Sequence, residues 1–187
     1  DDAIMNDTVP GTIYLKDYTP PPYLVKEIEL EVEIFSSYTQ IKSRLDILRD
    51  EKACGNRPLK LNGVDLELIA VSLNDIPLSE DKYDCTSEYL TLENLPESFV
   101  LETVVRIRPQ DNTRLEGLYA SKDGLFTQCE AEGFRRITYF VDRPDVMSCY
   151  SVTIIAAQAE YPILLSNGNL DEEGKRADGK HWVRWID

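Results

Sequence analysis

The stretch Lys26-Glu27-Ile28-Glu29-Leu30-Glu31-Val32-Glu33-Ile34-Phe35 decides the fold class of this chain. Acidic and apolar residues alternate along it, so an extended backbone places the apolar side chains on one face and a row of carboxylates on the other. A helix would instead scatter the glutamates around its circumference. The pattern therefore predicts a β-strand with one buried face.

The following segment repeats the period of two with the opposite charge. The residues expected on the inward face are Ile41, Ser43, Leu45 and Ile47. They alternate with Gln40, Lys42, Arg44 and Asp46 on the outward face. A turn around Ser36-Ser37 sets Lys42 and Arg44 opposite the glutamate row, where each cross-strand pair contributes about 0.2–1 kcal/mol. We therefore predict a β-hairpin.

More short strands follow, separated by turn signals. They are expected at residues 58–61, 64–73, 89–92, 98–107, 152–156, 161–165 and 181–185. Asn62-Gly63 favours a type I′ turn, and Asn94-Leu95-Pro96-Glu97 parts two of the strands. This spacing is typical of an all-β fold, an antiparallel β-sandwich or open barrel.

Two segments lack the β period. Residues 1–11 are polar and end in Pro10-Gly11, which predicts a flexible tail before a single β-domain over residues 12–187. Residues 115–148 show no clean alternation, and residues 134–139 predict a short helical turn, so a helical or irregular segment is expected near 130–148. Long irregular stretches inside compact domains are often functional.

Composition excludes several classes of protein. The 187 residues are 42% hydrophobic and carry a net charge of −14. This charge disfavours nucleic acids and anionic membranes as partners; it suits cationic ligands such as peptide amino termini, or serves solubility alone. No apolar run approaches the roughly 20 residues of a membrane span. The first residues show no signal-peptide pattern.

The cysteine pattern favours reduced thiols. Cys54, Cys85, Cys129 and Cys149 form no C-x-x-C pair, and a chain of this size does not need disulfides. We therefore expect a cytoplasmic protein.

The chain shows no catalytic machinery of its own. His181 is the only histidine and stands outside any H-E-x-x-H pair, so no metal site and no catalytic triad is predicted. His181 lies among aromatic residues of an expected strand, and we interpret it as a packed or edge histidine. No catalytic residue is assigned.

The irregular segment concentrates polar and charged side chains among aromatic ones. Partly buried carboxylates need partners, and Arg135, Arg136 and Arg143 are available nearby. We expect them to pair with Glu132, Asp142 and Asp145. Without further information, Glu130 is also best interpreted as a structural ion pair.

Several blocks nevertheless resemble the amino-terminal domain of the aminopeptidase N family, bacterial-type zinc metallopeptidases of the gluzincin group. The blocks are Tyr14-Leu15-Lys16-Asp17-Tyr18, Gln128-Cys129-Glu130-Ala131-Glu132-Gly133-Phe134-Arg135 and the segments 61–63, 112–119, 142–147, 161–169 and 181–187. They occur in family order and cover residues 12–187.

The resemblance implies a saddle-like β-domain that rests on a separate catalytic domain, where the zinc is bound. It implies that Glu130 binds the free α-amine of a peptide substrate and that Gln128 lines the same pocket. The zinc motif and the Gly-x-Met-Glu-Asn motif of the family are absent from residues 1–187, so this chain alone is expected to be inactive. Its partners would be peptides with a free amino terminus and the enzyme's own catalytic domain.

Two alternatives stay open. One is a free-standing β-sandwich that binds a protein or peptide without peptidase activity. The other is an epoxide-hydrolysing or transcription-associated relative, in which we expect the glutamate at position 130 to be replaced. An isolated domain would also expose the surface that meets its neighbour, which favours self-association.

Overall fold

The alternating stretch forms the centre of a large twisted sheet. The computed structural model describes residues 14–51, 57–122 and 124–187. Within these residues the strands are β1 Tyr23–Ile34, β2 Thr39–Arg49, β3 Leu59–Asn62, β4 Glu67–Leu73, β5 Ile76–Pro77, β6 Tyr83–Cys85, β7 Tyr89–Leu92, β8 Ser98–Ile107, β9 Gly117–Ser121, β10 Gly124–Gln128, β11 Cys149–Ala157, β12 Asn169–Lys175 and β13 Lys180–Ile186. The helices there are short 3-10 turns at Leu15–Asp17, Glu80–Lys82, Pro109–Asp111 and Phe134–Arg136. The all-β prediction is confirmed.

Three sheets make up this part of the chain. The largest has eight strands in the order β12-β13-β11-β1-β2-β8-β4-β5. A three-stranded sheet has the order β3-β7-β6, and β9 and β10 form a two-stranded hairpin. The pairing of β1 with β11 is parallel, and the other pairs are antiparallel.

The predicted hairpin of β1 and β2 is confirmed, with Glu29 opposite Arg44 and Glu31 opposite Lys42. The basic groups nevertheless form their ion pairs away from β1: Lys42 Nζ lies 3.0 Å from a carboxylate oxygen of Glu102 on β8, and Arg44 Nη1 lies 2.8 Å from Asp75 in the turn between β4 and β5. A neighbour on either side of a central strand is equally close, so register alone does not choose between them.

A β-bulge sets the phase of β1. The register shifts between Val25 and Glu27, so Tyr23 and Val25 before it and Ile28 and Leu30 after it all face the core. That core is the larger of two clusters of buried residues in the described part of the chain, and it joins the large sheet to β3, β7 and the segment around Phe140. Burial of these apolar side chains is the main source of stability.

The Asn62-Gly63 prediction is wrong. The two residues do not join β3 to β4 in a hairpin; the strands lie in different sheets, and neither residue has the positive φ of a type I′ turn. Position 63 requires glycine for a steric reason, because a Cβ there would overlap the ring of Tyr139.

The prediction of a strand at residues 161–165 is also wrong. The segment carries no strand, although Leu164 is buried. Pro162 has no N–H to donate to a ladder, and the edge beside β13 is taken by β12. The strands β5, β6, β9, β10 and β12 have no counterpart in the sequence prediction.

The remaining predictions have mixed outcomes. His181 is a buried histidine whose Nε2 lies 2.6 Å from the carbonyl oxygen of Tyr161, so the packed interpretation is confirmed. The helical turn near residue 134 is confirmed as the 3-10 helix Phe134–Arg136. The predicted tail at residues 1–11 and Cys54 lie outside the described residues. In the part of the chain that is described, no helix has the length and apolar character to span a bilayer.

Candidate functional site

Gln128 and Glu130 lie where the β9–β10 hairpin runs into the 3-10 helix Phe134–Arg136. Gln128 is the last residue of β10 and pairs with Gly117, and Glu130 follows in the connecting loop. We call residues 128–134 the anchor loop. Both side chains are exposed, and the structure brings them together in one way: Gln128 Nε2 donates a hydrogen bond to the carbonyl oxygen of Glu130, at 3.3 Å.

The anchor loop closes on itself through backbone contacts. The N–H of Gly133 donates to the carbonyl oxygen of Cys129 at 2.9 Å. A Cβ at Gly133 would overlap the carbonyl oxygen of Gln128 and lie 3.0 Å from the Cα of Cys129. Only glycine therefore allows the two ends of the loop to approach so closely.

Glu130 lies at the edge of an open groove of about 640 Å³ on the core side of the large sheet. Strands β1 and β11 supply its aliphatic floor, and its aromatic walls are Phe134, Phe140, Tyr150 and Trp185. Gln128 is not among the lining residues. A second groove of about 570 Å³ runs over the polar face of the sheet and is not lined by Glu130. The first groove therefore offers a carboxylate beside an apolar surface.

The arginines near Glu130 are paired with other carboxylates. The pairs are Arg135 with Glu132 (3.2 Å) and Asp142 (2.9 Å), Arg136 with Glu116 (3.0 Å) and Asp65, and Arg143 with Asp145 (2.7 Å). The predicted pairing of Glu132, Asp142 and Asp145 is confirmed. In the described residues the Glu130 carboxylate makes no ion pair or side-chain hydrogen bond.

Burial disfavours the charged forms of two groups that line the groove, Cys129 and Tyr150. Burial, and then the charge of Asp142, raises the pKa of the Cys129 thiol above its usual value. Burial also raises the pKa of Tyr150 to about 12. Because desolvation disfavours the charged form of both groups, neither supplies a base or a nucleophile near pH 7.

The described residues hold no group of three or more His, Cys, Asp or Glu side chains placed to bind a metal ion. The residues present there do not fit a zinc site, which needs at least three protein ligands around the metal.

Sequence reasoning missed the contribution of Asn62, whose side chain accepts a hydrogen bond from the N–H of Asp142 beside the anchor loop. The Asn62-Gly63 signal was present, but it was assigned to a turn. In the structure Asn62 forms an antiparallel bridge with Phe140, which lies 78 positions later in the chain (140 − 62).

The chain is similar to known proteins over most of its length. The family model for the peptidase M1 N-terminal domain matches residues 24–187. Aminopeptidase N of Escherichia coli K12 is 43% identical over 178 residues, which is 95% of this chain and 20% of that protein. Aminopeptidase N of Caulobacter vibrioides is 41% identical over 98% of this chain and 21% of that protein. This chain thus spans about a fifth of the length of these relatives.

Solved structures show the same fold. Aminopeptidase A of Legionella pneumophila, crystallised in complex with aspartic acid, superposes with a TM-score of 0.87 at 34% identity, over 92% of this chain and 20% of that chain. An M1 zinc metallopeptidase from Deinococcus radiodurans gives 0.72 at 13% identity, over 89% of this chain and 39% of that chain, and so supports the fold alone.

Proposed function

The chain belongs to the peptidase M1 N-terminal domain family, and on this basis we propose that it is the amino-terminal domain of a zinc aminopeptidase in which Glu130 binds the α-amine of the substrate. The substrates would be peptides with a free amino terminus. An internal peptide segment has no ammonium group to offer, so this contact would restrict the enzyme to removing terminal residues.

The observation that carries the proposal is the free carboxylate of Glu130. Three arginines lie within thirteen positions of it (143 − 130), yet each one pairs with another carboxylate. Within the described residues Glu130 is left exposed and unpaired at the edge of the groove. A carboxylate and an ammonium form a charge-assisted hydrogen bond, about twice as strong as a neutral one.

Gln128 has a supporting part in this proposal. Its side-chain amide holds the Glu130 carbonyl at 3.3 Å, which orients the loop backbone beneath the carboxylate. Among the described residues its carbonyl oxygen Oε1 accepts no hydrogen bond, and in this proposal it accepts one from the substrate amine. The resemblance implies that Gln128 lines the same pocket as Glu130, and we retain that role as part of the proposal, although Gln128 does not line the groove that Glu130 borders.

Hydrolysis itself would depend on a different part of the polypeptide. Since the described residues offer no zinc ligands as a group, this chain would supply recognition of the amino terminus and the catalytic domain would supply the metal. The chain alone would then hydrolyse no peptide. We further propose that the apolar groove side meets that domain, that the isolated chain self-associates through it, and that the protein is cytoplasmic.

The proposal is tested with Glu130→Gln in the full-length protein. The substitution keeps the shape of the side chain and removes its charge. Losing one partner of a desolvated charge pair costs about 2–4 kcal/mol, so kcat/KM for an aminoacyl amide should fall by roughly 30-fold to 1,000-fold.

Glu132→Gln is the matched control, because Glu132 lies in the same loop but pairs with Arg135. Its kinetics should stay near those of the wild type. Unchanged kinetics for Glu130→Gln would refute the amine-binding role. A coding sequence that ends near Asp187, without a downstream H-E-x-x-H, would instead favour the free-standing binding module.

A further inference from the structure

The exit of the anchor loop is fastened to the segment that follows it by a pair of side chains. Arg135 Nε donates to Asp142 Oδ2 at 2.9 Å, and the backbone N–H of Arg135 donates to the same oxygen at 3.2 Å. Arg135 Nη2 also donates to the carbonyl oxygen of Asp142 at 3.1 Å. Three hydrogen bonds between two residues fix both the side chains and the two backbones.

Asp142 is fastened in turn to the three-stranded sheet. Its N–H donates to Asn62 Oδ1 at 3.3 Å. Asn62 exchanges two backbone hydrogen bonds with Phe140, at 2.7 Å and 3.1 Å. Asn62 ends β3, whose neighbouring residue Leu61 is fully buried. The connection therefore runs from the loop exit into the core.

This connection is shielded from water. The side chains of Arg135 and Asp142 are 19% and 12% exposed, whereas those of Arg143 and Asp145 are 35% and 28% exposed. Removing one partner of a shielded pair leaves a charge without compensation, which costs far more than losing an exposed pair.

Among the described residues, no ion pair or hydrogen bond supports the Glu130 carboxylate in this way. The hydrogen bond that Gln128 donates goes to the backbone carbonyl oxygen of Glu130. The place of the carboxylate is therefore set by the backbone of the anchor loop, which is held by β10 at its start and by Arg135 at its exit.

We infer that Arg135 and Asp142 are positioning residues for substrate amine binding, and that they act through Glu130. This inference rests on the proposed function. Neither residue needs to touch the substrate. Their role is to hold the loop exit against β3, so that the carboxylate stays at the groove edge.

The test is a double-mutant cycle in the full-length protein, with Asp142→Ala, Glu130→Gln and their combination. A misplacement of about 1 Å at a reacting or binding group costs up to roughly 100-fold in rate. We expect Asp142→Ala to lower kcat/KM for an aminoacyl amide by about 10-fold to 100-fold, mainly through KM. In the Glu130→Gln background the same substitution should lower it by less than about 3-fold, because the energies of coupled residues do not add.

Arg135→Lys gives a second, milder cycle. Lysine keeps the charge but lacks the planar fork that binds Asp142 at two points, so a smaller rise in KM is expected, again lost in the Glu130→Gln background. If Asp142→Ala fails to fold, the cycle with Arg135→Lys decides the matter.

Glu33→Gln is the matched control for loss of a shielded ion pair. Glu33 and Lys180 are 16% and 17% exposed and 2.6 Å apart, on strands β1 and β13. This variant should lower the Tm without changing KM. Equal effects of Asp142→Ala with and without Glu130 would overturn the inference and leave the proposed function standing, whereas no effect of Glu130→Gln alone would overturn both.

Discussion

Replacing Gly133 with alanine should displace the backbone of the anchor loop. Gly133 is buried and has φ −85° and ψ −18°, a conformation that alanine adopts freely. The added Cβ has no room, however. It would overlap the carbonyl oxygen of Gln128 and lie 3.0 Å from the Cα of Cys129 and 3.2 Å from the backbone nitrogen of Gly117.

All three of these neighbours are backbone atoms, so none can rotate away and the loop itself must shift. Forcing an extra carbon into a packed site costs about 1–3 kcal/mol. Alanine also lowers the conformational entropy of the unfolded chain relative to glycine, which stabilises the folded state by about 0.4–1 kcal/mol. The midpoints of these two ranges leave a net loss of stability of about 1.3 kcal/mol, and each kcal/mol lowers the Tm by roughly 2–4 °C in a domain of this size.

Thermal unfolding of Gly133→Ala measures this loss, and steady-state kinetics of the full-length protein measure its effect on Glu130. We expect a lower Tm together with a higher KM. Gly124→Ala is the control: its Cβ would meet no atom within 4 Å, although φ is +152°. It should lower the Tm through backbone strain and leave KM unchanged. A Gly133→Ala variant with an unchanged or higher Tm would refute the steric reasoning.

Two further predictions concern the surroundings of the site. Gly63→Ala should destabilise the protein by about 1–3 kcal/mol in denaturant unfolding, because its Cβ would overlap the fully buried ring of Tyr139; a neutral effect would contradict the close approach. Stability should also fall as the pH rises from 10 to 12, since unfolded tyrosine ionises near pH 10 while burial raises the pKa of Tyr150 to about 12, so the folded state holds its proton longer. Tyr150→Phe should make this decline shallower, and an identical pH profile would contradict the assignment.

The elements that sequence alone predicted well are those with one buried face. In β1, β2 and β8 nearly every inward position is buried, and the residues that suit a buried position therefore recur at every second place along these strands. One-sided burial forces this alternation, and the order of residue types along the chain is then enough to identify the strand.

The missed strands lack that one-sided burial. Every residue of β12 except Gly174 is exposed, and β10 ends in three exposed residues, Phe126, Thr127 and Gln128. Such strands are held by backbone hydrogen bonds to a neighbour, and these bonds place no demand on the side chains. Their sequences therefore carry no periodic signal.

For the candidate site, too, the sequence was enough for some features and not for others. The block around Glu130 pointed to its family from sequence, through residue identity alone. Whether Glu130 was a free carboxylate or half of an ion pair depended on which arginine reached which acid, and that required the fold. The same holds for Asn62, whose partners Phe140 and Asp142 are distant in sequence.

The sequence by itself thus determined the β-class, the central hairpin and the family. Each depends on local pattern or on residue identity, which the chain carries at every point. Only the tertiary structure decided that the three arginines are taken by Asp142, Glu116 and Asp145 while the Glu130 carboxylate has no such partner among the described residues. The reason is physical: ion pairs form between groups that folding brings within about 4 Å, and separation along the chain does not set that distance.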